Sequence, residues 1–87
     1  MSSSLYWKPV QELTEDRYIG KQAKYLLGLK YFGHDGSLGG EATLDKLDIL
    51  WLDGARAATP HTKVREELTK IIELLEEHGS IILELRF

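Results

Sequence analysis

Between Tyr31 and Gly40 the chain reads Tyr31-Phe32-Gly33-His34-Asp35-Gly36-Ser37-Leu38-Gly39-Gly40, which sets an imidazole, a carboxylate and a hydroxyl among half of its eight glycines. Successive glycine amides can converge on an anion as a backbone nest. Ser37 can donate a hydrogen bond to such a ligand, and Tyr31 or Phe32 can stack on a base. A basic stripe, Arg17, Lys21 and Lys24 with Lys30 behind it, would supply countercharge. The ligand site expected from sequence is therefore Arg17, Lys21, Lys24, Tyr31, Gly33, His34, Asp35, Gly36, Ser37, Gly39 and Gly40. The loop lacks the G-x-x-x-x-G-K-[ST] pattern and does not pass from a strand into a helix, so it is not a P-loop. Its alternative reading is a connection, with Gly33 ending a helix and Asp35-Gly36 making a turn.

Other chemistry is poorly supplied. There is no cysteine, which excludes disulfides, thiolate metal sites and thiol nucleophiles. His34 and Asp35 can reach one ion together, but a metal site needs three or four ligands, and His61 and His78 fall near opposite ends of one helix. No carboxylate pair has hydrolase spacing, and no serine sits in a nucleophile elbow. Neither a metal, a cofactor nor catalysis is expected.

The 87 residues suit one domain spanning 1–87. Hydrophobic residues make up 43% and charged residues 29%, so the chain can form a core. The core is small, and a homo-oligomer would enlarge it. A net charge of −3 argues against nucleic acid as main partner. No apolar run has membrane-spanning length and the N-terminus has no basic n-region, so a cytoplasmic protein without membrane contact is expected.

The elements that must position the loop follow from periodicity. Leu5–Val10 reads as a strand with Pro9 near its end. Thr14 is expected to cap a helix over Glu15–Tyr31, with Tyr18, Ile19, Gln22, Ala23, Tyr25, Leu26 and Leu29 on one face and Arg17, Lys21, Lys24 and Gly28 opposite. Glu41–Leu44 is a short strand after the loop. Asp45 caps a second helix, Lys46–Ala58, whose inner face is Leu47, Leu50, Trp51, Gly54 and Ala58. The run Leu47–Leu52 also fits a buried strand, and helix is preferred. Thr59 and Pro60 open a third helix carrying the stripe Val64, Leu68, Ile71, Ile72 and Leu75, which ends at Gly79. Its acids Glu66, Glu67, Glu73, Glu76 and Glu77 are expected on the outer side. Ser80–Phe87 alternates as a strand. The fold class is α+β: a two- or three-stranded sheet, three helices over one face, and the terminal strands paired.

The segments Tyr6–Val10, Gly33–Gly40 and Glu76–Ile81 together resemble a pattern in small uncharacterised bacterial and phage proteins. The resemblance implies a compact accessory protein that acts by binding, and it assigns no activity. Two functions are expected. The first is a non-catalytic protein that sequesters an anionic small ligand, such as a nucleotide or phosphorylated signal, at the loop. The alternative is a protein-interaction module using the acidic third helix or exposed apolar residues of the second.

Overall fold

The computed structural model describes residues 3–11 and 17–86. The alternation of Ser80–Arg86 sends Ile81, Leu83 and Leu85 inward, and this strand, β4, forms the middle of the sheet with β1 (Ser4–Pro9). They run antiparallel, with Leu5 opposite Leu85, Trp7 opposite Leu83 and Pro9 opposite Ile81. The terminal strands therefore pair as expected. β2 (Arg17–Gly20) adds to the outside of β1 and β3 (Gly40–Asp45) to the outside of β4, both antiparallel, which gives the order β2-β1-β4-β3.

The sheet has four strands, not two or three. The fourth comes from the start of the segment expected to be one long helix. Tyr18 and Ile19 favour a strand, and four residues are too few for the helical period to outweigh that preference. A bulge between Leu5 and Tyr6 lets Tyr18 face outward against Tyr6, with ring centroids 5.7 Å apart, while Ile19 is buried. Helix begins only at Lys24: α1 (Lys24–Leu27) continues as a π-helical turn through Gly28–Phe32 and stops at Gly33, which has φ +76°. Ala23, Leu27 and Gly28 are buried there, whereas Tyr18, Tyr25 and Leu29 are exposed, so the expected apolar face does not form. The expected cap Thr14, with Glu15 and Asp16, lies outside the described residues.

Asp45 does cap the next element. Its carboxylate accepts from the Leu47 amide at 2.8 Å, and Asp48 accepts in return from the Asp45 amide at 2.9 Å. A 3₁₀ turn, Lys46–Asp48, leads into α2 (Ile49–Ala58), so Leu47–Leu52 is helical. The helix is rotated from the expected orientation. Leu52 is buried, Ile49, Trp51 and Ala55 pack against the core, and Leu47 and Leu50 are 87% and 83% exposed. α3 (Thr62–His78) starts later than Thr59–Pro60 suggests. Its N-cap is His61, whose Nδ1 accepts from the Val64 amide at 3.4 Å. Leu68, Ile71, Ile72 and Leu75 are buried as expected, joined by Leu74 and by Glu67, which is not on the outer side. Gly79 closes the helix with φ +82°.

The helices lie over the face of the sheet that carries Leu5, Trp7, Leu44, Ile81, Leu83 and Leu85, and these residues share one core. The opposite face carries Tyr6, Lys8, Ile82, Glu84 and Arg86. Arg86 lies 4.3 Å above the Tyr6 ring and 3.1 Å from Glu84, so its charge is met within the face.

Candidate functional site

The loop is packed tightly against α1. An ideal Cβ on Gly28 would lie 2.6 Å from the His34 carbonyl oxygen, and one on Gly36 would lie 2.8 Å from that of Lys24. Gly36 also has φ +90°, a conformation that side chains disfavour. The clustered glycines thus allow two backbone segments to touch. Ser3 fastens the junction: its buried hydroxyl donates to the Gly36 carbonyl, and its own carbonyl accepts from Lys24 Nζ at 3.1 Å. Sequence reasoning missed Ser3, because nothing distinguishes it within a run of three serines.

Two of the loop amides are occupied by loop side chains. Gly36 N–H donates to His34 Nδ1 at 3.0 Å, and Ser37 N–H donates to Asp35 Oδ1 at 3.0 Å. The Ser37 hydroxyl also bonds to Asp35, and this pairing, with the amide bond, lowers the Asp35 pKa below the ordinary carboxylate value. Because His34 Nδ1 accepts, a neutral ring carries its proton on Nε2. Nε2 is enclosed without a hydrogen-bond partner among the described residues, and the ring stacks on Phe32 at 6.0 Å. Gly40 begins β3 close to that same Phe32 ring.

The other expected residues lie on different elements. Arg17 is on β2, its guanidinium 5.0 Å above Trp7. Lys21 lies in the turn after β2, and Lys24 is the first residue of α1. They form no stripe, since the helix meant to align them starts too late. Tyr31 turns towards α2: its hydroxyl donates to Asp48 at 3.0 Å and its ring meets Trp51 edge-on at 5.8 Å. Burial, then the bond to Asp48, raises the Tyr31 pKa far above its usual value. The loop, Lys24 and Ser3 come together; Arg17, Lys21 and Tyr31 stand apart from them.

A pocket of about 350 Å³ opens between the β2–α1 turn and α3, lined in part by Tyr18, Lys21, Lys63, Glu66, Glu67 and Lys70. Glu67 forms its floor. Its carboxylate accepts from the Gln22 amide at 3.0 and 3.1 Å and from the Ala23 amide at 2.9 Å. A Cβ on Gly20 would lie 2.5 Å from that carboxylate, so glycine is needed for the approach. Glu67 falls in the series Val64, Glu67, Leu68, Ile71, spaced three and four apart, which was the sequence signal that it points inward. Lys70 Nζ donates to the Tyr18 carbonyl at 3.2 Å.

A second, apolar groove of about 410 Å³ lies between α1 and the end of α2, with Tyr25, Leu26, Ala55, Ala58, Pro60 and Val64 along it. Beyond α2's contact with the core, its outer side shows Leu50 to solvent, and the 3₁₀ turn before it shows Leu47. Among the described residues no three His, Cys, Asp or Glu side chains group as metal ligands, and no helix is long and apolar enough to cross a membrane. No family model, curated protein or solved structure matches the chain.

Proposed function

We propose that this chain is a non-catalytic interaction module whose partner docks on the outer face of α2. The observation that supports this reading is the exposure of Leu47 and Leu50, 87% and 83%, on the 3₁₀ turn and the helix it leads into, whose other side already fills the core. Two leucines held in water by an ordered turn and helix gain free energy when a partner covers them, of the order of 1.5–3 kcal/mol for each side chain fully buried. The acidic face of α3 is a weaker candidate, because Lys63, Arg65 and Lys70 are interspersed with its acids. A photo-reactive benzoylphenylalanine placed at Leu50 in producing cells should yield a covalent adduct on irradiation, and the same group at Thr43 should yield none. The absence of any adduct from position 50 would end the reading.

A second reading, binding of a small phosphorylated anion such as a nucleotide, is favoured by a different observation. Lys21, Lys63 and Lys70 border one pocket, and the half-exposed Tyr18 ring is at its rim. Gly36 and Ser37 donate within the loop, so the lysine pocket suits an anion better than those loop amides do. A calorimetric titration with ATP and pyrophosphate should show binding that Lys63→Glu with Lys70→Glu removes. No heat with the unaltered chain would exclude this reading for those ligands.

A further inference from the structure

We infer that the outer face of α2 is the interface of a two-fold symmetric dimer, in which a second copy of this chain covers Leu47, Leu50 and Gly54. The inference rests on the interaction-module reading and names the partner of that same face.

Shape supplies the first argument. Leu47 on the 3₁₀ turn and Leu50 and Gly54 on α2 follow one another at spacings of three and four, with Ala57 three further on, so they form one stripe along the outside of turn and helix. Gly54 is the odd member. Glycine weakens a helix interior, yet Gly54 has no positive φ, and a Cβ there would meet none of the described residues within 4 Å. The fold of the single chain gives no reason for it. A neighbouring helix does: beside Leu50 the missing side chain leaves a notch in which a leucine from another helix can sit close to the backbone.

Charge decides what that helix is. Lys46, on the 3₁₀ turn, and Asp53, on α2, are seven residues apart, a spacing that sets them on one flank of the stripe, on either side of Leu50. An antiparallel copy, crossing at Leu50, brings each Lys46 towards the partner's Asp53, and the pairing occurs twice by symmetry. The same crossing drops each Leu47 beside the partner's Gly54. A parallel crossing would put the two charged flanks on opposite sides of the interface, where neither Lys46 meets an Asp53. Lys46 has no ion pair within its own chain among the described residues. Asp53 holds Arg56 through one oxygen at 2.6 Å, and its side chain remains 62% exposed. Opposite charges disposed evenly about Leu50 are what self-pairing requires; an unrelated partner would impose no such symmetry.

The test is sedimentation equilibrium on the full chain from about 1 µM to about 1 mM, the range in which a modest interface reports its constant. A concentration-dependent dimer is expected. Leu50→Asp should weaken it at least a hundredfold with an unchanged circular-dichroism spectrum, since the side chain is exposed. Lys46→Glu alone should weaken it several-fold, and Lys46→Glu with Asp53→Lys should recover most of the loss. The chain lacks cysteine, so orientation can be read by oxidative cross-linking. Leu50→Cys should link to itself across the axis, and Lys46→Cys should not, because an antiparallel crossing at Leu50 offsets the two residues 46 by about 12 Å along the helices, beyond disulfide reach. A monomer throughout, a dimer indifferent to Leu50→Asp, or self-linking at position 46 would each overturn the inference. If the chain stays monomeric while the photo-reactive group at position 50 captures a different protein, the second copy is excluded and the interaction reading stands.

Discussion

Glu67 does a job that its residue type does not announce. A buried carboxylate is tolerated when hydrogen bonds replace its hydration, and here the Gln22 and Ala23 amides do so. Glu67→Leu leaves both amides without that acceptor and should destabilise the fold by roughly 2–4 kcal/mol, whereas Glu67→Gln keeps an acceptor oxygen and should cost about half as much. Urea denaturation of the two variants checks the difference. Gly36→Ala meets a left-handed φ and the Lys24 carbonyl together, so a loss of at least about 2 kcal/mol is expected; Gly33→Ala has open space and should lose only about 1 kcal/mol. The pH effect at Asp35 has a definite sign. Its folded pKa lies below the unfolded one, so its pairing with Ser37 contributes stability above the unfolded value of about 4 and loses it as pH falls through the folded value. Ser37→Ala should move the Asp35 carboxyl titration, followed by NMR, upward towards the ordinary value.

Among the elements, legibility depended on how many turns of pattern each one offered. α3 has almost five turns, and its stripe and its stop at Gly79 were plain; β4 alternates cleanly over seven residues. β2 has four residues, and its Tyr18-Ile19 pair satisfies a helical face as well as a strand, so only its pairing with β1 reveals what it is. α2 presents two apolar faces. Periodicity selects the stripe of Leu47, Leu50 and Gly54, while the fold buries Leu52 on the other side, because that side meets the core. The candidate site suffered from the same ambiguity: a basic stripe requires one helix from residue 17 to 24, and the chain changes from strand to turn to helix across it. The exposed Gly54 gives a prediction at this scale. Gly54→Ala should raise the stability of the dilute chain by about 1 kcal/mol, read as a higher melting temperature, since the helix gains propensity and nothing clashes.

For the whole molecule, one core lies between three helices and one face of the sheet, and the other face is left to Tyr6, Lys8, Ile82, Glu84 and Arg86. That open face answers its own charge, with Arg86 over Tyr6 and beside Glu84, whereas Leu47 and Leu50 are the most exposed large hydrophobic side chains among the described residues. The pairing of β1 with β4 also governs when the structure can form. The two middle strands are the first and the last of the sheet, and joining Pro9 to Ile81 closes a loop around every other element. During synthesis, β1, β2, β3 and the helices are made before the strand that unites them. Until β4 emerges, β1 and β3 have no common neighbour, and Leu5, Trp7 and Leu44 have no Leu83 or Leu85 to pack against. The sheet and the core are thus completed together by a single long-range closure that waits for β4.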